Sequence, residues 1–345
     1  MAMRNYETAL TELENSSSNQ EGGRRQVEVY VTKSSDDLMS LATKKDLQPY
    51  KMIAILSGDS SVFEFVQPVL LLAPNNGRWP YAPILHLPGG TGNAMPGEFH
   101  NGNLDIRYII RNATKIRKGS VVKASNGEIT RYALHNCFGG FQAEMIEFME
   151  ARRALVSNFG GGGLILAIGL FLFAHLPFSK TLNPTILNVI NSDYEGMGLR
   201  FDFGVDRFDD NMVVAVGGPY RSKWNLVMAF IGLFRSMNNT NKKLLIVVSK
   251  DTTTTTTTAT MEEEEDDDDS SSKNKEPVFE LPHGVTCKVC DHWTLPNVVD
   301  IHGQRHYKLH FDGSTLLPLE GDSITLEVIP EAIPYYTVPR RQENE

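Results

Sequence analysis

Three cysteines in 345 residues are too few and too irregularly spaced for a disulfide framework, which points to a reducing, cytoplasmic setting. No apolar run reaches the roughly 20 residues that a membrane-spanning helix needs. The longest, Leu164 to Pro177, has fourteen residues with His175 as its one titratable group. Residues 1–26 hold no apolar core of signal-peptide character and read as a short helix and a tail. A basic excess is also missing. The net charge is -9, but eight acidic residues stand together in Glu262 to Asp269, so the remainder is close to neutral. That excludes a broad basic face for nucleic acid. Neither a Gly-Lys-Ser/Thr phosphate loop nor a Gly-x-Gly-x-x-Gly dinucleotide fingerprint occurs at the glycine-rich turn described next.

What is present is organised around two loops. Met52 to Leu56 and Pro83 to Leu87 are short apolar runs of buried-strand character, each stopping abruptly at small residues. The first hands over to Ser57-Gly58-Asp59-Ser60-Ser61, the second to Pro88-Gly89-Gly90-Thr91-Gly92-Asn93. Ligands of open α/β sheets bind at such carboxyl edges. Gly89, Gly90 and Gly92 leave backbone N–H groups open to a phosphate and tolerate the positive φ of an anion nest, while Thr91 adds a hydroxyl and Asn93 an amide. A plain strand-to-helix turn has the same composition.

The pair of loops resembles the catalytic domain of the diacylglycerol kinase and sphingosine kinase superfamily. Members carry a Gly/Ser-Gly-Asp-Gly loop, a helix with an acidic residue, and then Pro-x-Gly-Ser/Thr-Gly-Asn. Ser57-Gly58-Asp59 is similar to the first, Glu64 stands where the acidic residue belongs, and Pro88 to Ala94 matches the last. The leading serine and the Asn-Ala ending look most like the sphingosine and ceramide kinase branch. Gly139-Gly140-Phe141-Gln142-Ala143-Glu144 is similar to the family's Gly-Phe-x-Ala-Asp segment, and Asp312-Gly313 to its late Asp-Gly-Glu. The resemblance spans roughly Val27 to Ile333 and implies ATP and Mg²⁺ as cofactors and a lipid as substrate.

Residue by residue, the resemblance implies Asp59 as catalytic base and as the Mg²⁺ carboxylate, acting through water. Composition alone would make Asp59 a cap for a helix starting near Val62. Thr32, ending the alternating strand Val27 to Val31, would face the nucleotide with Ser57, Gly58, Glu64, Gly89, Gly90, Thr91, Gly92, Asn93 and Asp312. Glu144 or Glu147 would recognise the lipid head, and Arg152 or Arg153 would reach phosphate. A solvated helix face with Glu and Arg three or four apart gives the same pattern. Three departures stand out. No Asn-Pro-x-Ser-Gly loop precedes Val27, so either the start is cut short or nucleotide is held with one loop fewer. Ser60 replaces a family glycine, and Ser314 replaces a glutamate. If residue 60 needs positive φ, serine there is strained by on the order of 1 kcal/mol.

Beyond these loops, Ser35 to Lys45 reads as a helix capped by Ser34 or Ser35, and Gly119 to Ala133 as two strands around Asn126-Gly127. Leu164 to Pro177 suits a buried helix or the wall of an acyl-chain pocket. Residues 251–276 form a Thr/Glu/Asp-rich, self-repelling insertion that reads as disordered. Cys287 and Cys290 alternate with valines and read as a strand rather than a zinc site, and Ser323 to Ile329 reads as the final strand.

The expected fold class is α/β plus β. A Rossmann-like nucleotide-binding domain at 27–130 is followed by a β-rich, sandwich-like lipid-binding domain at 131–250 and 277–335. Lipid substrate and peripheral membrane contact are the expected partners, with no nucleic acid.

Overall fold

In the computed structural model the described residues are 2–18, 27–72, 77–90, 93–152, 169–171, 186–190, 194–195, 199–200, 207–208, 210–217, 278–281, 285–295, 307–321 and 323–339. The helices are α1 (Ala2–Ser18), α2 (Ser35–Lys44), α3 (Asp59–Leu72), α4 (Ala94–Phe99), α5 (Ile106–Asn112) and α6 (Phe141–Glu150). The strands begin with β1 (Ile53–Ser57), β2 (Ile84–Pro88), β3 (Lys115–Ser125), β4 (Thr130–Ala133), β5 (Asn136–Gly140), β6 (Ile186–Ile190), β7 (Tyr194–Glu195) and β8 (Leu199–Arg200). They continue with β9 (Met212–Gly217), β10 (Val278–Leu281), β11 (Val285–Cys290), β12 (His292–Thr294), β13 (Tyr307–Phe311), β14 (Ser314–Gly321) and β15 (Thr325–Thr337).

Two main sheets organise these elements. The first runs β1-β2-β15-β3-β4, with β12 beside β15. β1, β2 and β15 are parallel, and β15 turns antiparallel against β3. The second sheet runs β10-β11-β9-β6-β5-β13-β14. Apolar continuity explains β2: all five residues of Ile84–Pro88 are buried, as a strand covered on both faces must be. Ile84 packs with α3 and α4 residues such as Val66, Met95 and Phe99, while Leu85 and Leu87 pack with Ile106 and Ile109 of α5 and Ala9 of α1. The period of two thus sends alternate β2 side chains to opposite helical layers.

Local chemistry sets several element ends. The Ser34 side chain caps α2 by accepting from Asp37 N. The Asp105 side chain caps α5 through Tyr108 N. The hairpin β13–β14 turns on Asp312 (φ 50°) and Gly313 (φ 77°), the Asp-Gly pair that a two-residue turn with positive φ at both positions favours. α3 is buried on nearly all sides, and Gln67 completes the β4 ladder with its amide, accepting from Tyr132 N and donating to Tyr132 O, both at 3.0 Å.

Some sequence expectations fail. Val27 to Val31 alternates but forms no ladder; Val29, Tyr30 and Val31 are exposed and the segment is coil, so β1 ends the sheet order. Alternation fits any extended chain, and only a partner makes it a strand. The final strand is longer than Ser323 to Ile329. After a bulge at Glu331 (φ 50°) it continues to Thr337 and inserts between β2 and β3 in the first sheet. α3 starts at Asp59 rather than Val62, so Ser60 is helical and carries no positive φ. Cys137, Cys287 and Cys290 are free and buried. Of Leu164 to Pro177 only Gly169–Phe171 are described; Phe171 is buried against Phe148 at 5.3 Å. The insertion at 251–276 lies outside the described residues. No described helix is long and apolar enough to cross a membrane.

Candidate active site

The carboxyl ends of β1 and β2 lie side by side, with Ser57 in register with Pro88. Their loops touch backbone to backbone. A Cβ on Gly90 would stand 2.4 Å from the Gly58 Cα, and one on Gly89 would stand 2.9 Å from Ser57 N. These glycines are therefore required by close approach. Neither has positive φ, contrary to the nest expectation; that conformation falls on Asn93 (φ 51°) instead. Gly89 N donates to Ser57 O at 3.0 Å and Gly90 N to Asn93 Oδ1 at 2.9 Å, while Asn93 Nδ2 returns a bond to Gly90 O at 2.7 Å. Of the N–H groups expected to face a phosphate, that of Gly89 is thus spent on the neighbouring loop and that of Gly90 within its own loop. Thr91 and Gly92 lie outside the described residues.

Asp59 closes the junction. Its Oδ2 accepts from Ala94 N at 2.8 Å and its Oδ1 from Met95 N at 3.1 Å, so the carboxylate caps α4, the helix that follows the glycine loop. The helix it caps is α4 and not the one expected to start near Val62. Burial pushes the Asp59 carboxyl up, against the two N–H bonds and the Arg207 charge that hold it down. Each oxygen keeps a second lone pair. That fits a metal bound through water on this carboxylate, and not a cage of protein ligands: among the described residues no three His, Cys, Asp or Glu gather as a metal set.

Behind the loops lies a buried polar layer. His86 of β2 meets Ser57 O at 3.2 Å through Nε2, and His100 Nε2 meets His86 O at 2.9 Å. Burial holds the two imidazoles down, to about 3 and about 4, so both are neutral.

The strongest feature not visible in the sequence is Arg207, with no exposed surface. Its Nε donates to Glu98 Oε2 at 2.7 Å, its Nη1 to Leu134 O, and its Nη2 to His135 Nδ1 at 2.7 Å. Burial disfavours the charge, and Glu98 restores it. Because guanidinium only donates, His135 Nδ1 accepts and its proton sits on Nε2, which has no partner among the described residues. Arg207 stands in Val205-Asp206-Arg207-Phe208-Asp209-Asp210, a charged stretch that looks like a surface loop; no local signal marks it.

Asp312 meets the same segment. Its Oδ2 accepts from Leu134 N at 2.7 Å and its Oδ1 from His135 N at 2.7 Å and Asn136 N at 2.9 Å. Leu134–His135 is where the chain passes from β4 in one sheet to β5 in the other, so this carboxylate staples the crossover. Burial pushes it up to about 6 despite those bonds. The resemblance implies that Asp312 lies near the nucleotide; here its two oxygens are engaged by the backbone of the crossover.

The remaining expected residues are placed as follows. Glu64 is buried and accepts from Ser314 Oγ at 3.0 Å, so Ser314 is a partner for Glu64 and not simply a lost acid. Thr32 is exposed in the unpaired segment, with no strand to aim it. Ser57 Oγ donates to Gly58 O at 3.1 Å. Glu147 pairs with Lys308 and with His310 Nε2 at 2.9 Å on β13; burial raises its carboxyl, and these partners outweigh burial and hold it low. Glu144, half-buried, is pushed up by burial and then by Glu147. Arg152 lies over its own helix, 3.6 Å from the Phe148 ring centroid, and donates to Phe148 O, which is the helix-face reading. Arg153 lies outside the described residues.

No family model and no curated protein matches this chain. Solved structures do. A "putative diacylglycerol kinase" from Bacillus anthracis str. Sterne superposes with a TM-score of 0.55 at 14% identity, over 98% of this chain and 92% of that one. A second structure of the same description gives a TM-score of 0.50 at 14% identity, over 89% and 84%. The chain therefore has the mixed α/β fold of diacylglycerol-kinase-like proteins.

Proposed function

We propose that the protein is an ATP-dependent lipid kinase that transfers the γ-phosphoryl group to a hydroxyl of a sphingoid base or related lipid. The observation that carries this reading is the interlock of the two loops. Asp59 holds the start of α4 at the carboxyl edge of adjacent parallel strands, where α/β sheets bind ligands. Its carboxylate would accept the substrate proton and support Mg²⁺ through water, and the Thr91–Gly92 part of the loop would approach the phosphates. Magnesium, when bound with ATP, supplies neutralisation of phosphate charge. The first sheet would hold the nucleotide and the second the lipid. The name carried by the structural neighbours makes diacylglycerol a substrate to test beside sphingosine and ceramide.

A second reading, a relative that binds lipid or nucleotide without turnover, is favoured by two observations. Asp312 is committed to three backbone N–H groups, and Thr32 has no strand beneath it.

Radiolabelled ATP with Mg²⁺ against sphingosine, ceramide and diacylglycerol in mixed micelles separates the two. One labelled lipid, with transfer reduced about 10²–10⁴-fold in Asp59→Asn, is the expected result. Folded protein that labels none of them establishes the binding-only relative.

A further inference from the structure

Arg207 lies in sequence between β8 and β9, and β9 belongs to the second sheet, yet its side chain reaches α4 and its backbone is held by β3 of the first. Ser120 of β3 fixes that backbone, its N and its Oγ both donating to Arg207 O, at 2.8 and 2.6 Å. Gly119, beside Ser120, makes room for the stem of the side chain. A Cβ there would stand 3.2 Å from Arg207 Cδ and 3.1 Å from Tyr335 Cε2. The Phe99 ring, stacked on Tyr335 at 4.4 Å, has its centroid 5.2 Å from the guanidinium. Residues of β3, α4 and β15 are therefore shaped around one side chain.

The two ends of α4 are held by different groups. At its start Asp59 accepts from Ala94 N and Met95 N, and in its last turn Glu98 Oε2 accepts from Arg207 Nε at 2.7 Å. Six residues of helix span only about 9 Å, so α4 moves as a bar between these two holds. The other donors of the guanidinium reach the crossover. Leu134 is gripped at its carbonyl by Arg207 and at its N–H by Asp312, and His135 is bound by the same two residues. Arg207 thereby joins α4 to the passage between the sheets. A buried ion pair is a weak source of net stability, because desolvation offsets its attraction, whereas a planar fork with three bonds fixes direction.

From this we propose that Arg207 is a positioning residue: through Glu98 it sets α4, and through α4 it sets the Asp59 carboxylate against the glycine loop. The inference rests on the reading of Asp59 as the group that accepts the substrate proton. Arg207 acts through the helix and not on the reacting atoms. Because the same guanidinium holds Leu134 and His135, the start of α4 follows the crossover, and the alignment of Asp59 is tied to the second sheet.

Native-state hydrogen exchange and transfer kinetics on the full chain test this. Arg207→Met leaves the Glu98 charge without its guanidinium, so the double variant Glu98→Met/Arg207→Met, which removes both charges, is measured beside it, with Arg207→Lys as the conservative variant. In the double variant the Ala94 and Met95 amides should exchange on the order of tenfold faster, while those of the β9–β11 ladder keep their rates. Its kcat should fall about 10- to 100-fold with KM for ATP and lipid within about twofold, as a misplaced catalytic group requires. Arg207→Lys keeps a charge for Glu98 and loses the fork, so it should recover part of both effects. Unchanged exchange at Ala94 and Met95 overturns the proposal. So does exchange that quickens equally in β9 and β11, or an Arg207→Lys protein no better than the double variant, since either leaves Arg207 a scaffold residue alone. A wild-type chain that labels no lipid overturns the reading of Asp59 as base; the exchange measurement needs no turnover and still decides whether Arg207 holds the start of α4.

Discussion

Two aspartates, the half-buried Asp59 and the buried Asp312, accept backbone N–H groups, yet they sit in different kinds of place. Asp59 binds two N–H groups at the end of β1, between loops whose backbones touch, and keeps lone pairs toward the sheet edge. Asp312 binds three N–H groups inside a two-residue turn and closes the passage between the sheets. One therefore stands at the carboxyl edge of two adjacent parallel strands, and the other staples the passage between the sheets. The same residue type in a recognisable motif does not fix which task it has; the number of backbone donors aimed at it does.

Substitution separates the two tasks most sharply. Asp59→Asn keeps the size and one acceptor but turns an NH2 donor toward one of the two α4 N–H groups, so it should loosen the start of α4 at about 1–3 kcal/mol without unfolding the sheets, while removing transfer. Asp312→Ala leaves three buried N–H groups without partners, at about 1–3 kcal/mol each when unrelieved by water. A loss of about 3 kcal/mol or more in urea unfolding is expected. An Asp312→Ala protein of wild-type stability would show that the crossover is held by Arg207 alone.

Acid should weaken the region behind the loops. Burial lowers His86, His100 and His135, so these imidazoles are neutral when folded and take up protons on unfolding below about pH 6.5. Their contribution to stability is present above that pH and is lost as pH falls toward about 4 and about 3 for His100 and His86. Asp312, raised to about 6, works in the opposite direction: its folded form binds a proton first, which favours the fold as pH falls from about 6. Asp59, also raised, adds to that opposition. Three histidines against the carboxyl of Asp312, with Asp59 acting in the same direction as Asp312, leave a net loss of stability as pH falls from about 6.5 to about 5. Urea titrations at several pH values measure it, and His100→Gln should flatten the slope; a stability that rises on acidification would mean the carboxyls dominate.

The contact between the loops is a smaller effect. In Gly90→Ala the new methyl meets the Gly58 backbone, which cannot rotate away as a side chain could. Overpacking of this kind costs about 1–3 kcal/mol. Nucleotide binding should fall more than stability does, because the loops separate before the sheet unfolds. Equal stability and equal nucleotide binding in the variant would show that the junction is loose.

How much of this was legible in the sequence differs by element. The apolar run of β2, the small residues that end it, and the Asn126-Gly127 turn are local patterns, and the chain follows them. The placement of β15 between β2 and β3 is a pairing across more than two hundred residues, and no window of sequence contains it. Val27 to Val31 shows the converse: correct alternation without a partner. The glycines were readable as a tight loop, but the reason for them, backbone contact rather than positive φ, depends on the neighbouring loop. Arg207 could not be found at all, because its burial is decided by Glu98 and His135 from elsewhere in the chain.

The finest distinction between the two regions lies next to Asp312. Ser314 Oγ donates to Glu64 Oε1 at 3.0 Å and accepts from Leu316 N at 3.3 Å, linking β14 to α3, the helix that Asp59 begins. Ser314→Ala removes the donor and leaves Glu64 buried with one partner fewer. A bond to a charged group contributes about 1.5–3 kcal/mol, and the lower end suits a site where water can enter the space of the lost hydroxyl. Ser314→Glu would set a second carboxylate against Glu64 in place of a donor, so it should destabilise more than Ser314→Ala in urea unfolding, and less so at lower pH as the introduced carboxyl is protonated. If Ser314→Ala and Ser314→Glu instead unfold alike at neutral and lower pH, α3 is joined to the second sheet by packing of Phe63 on Phe311 rather than by this bond.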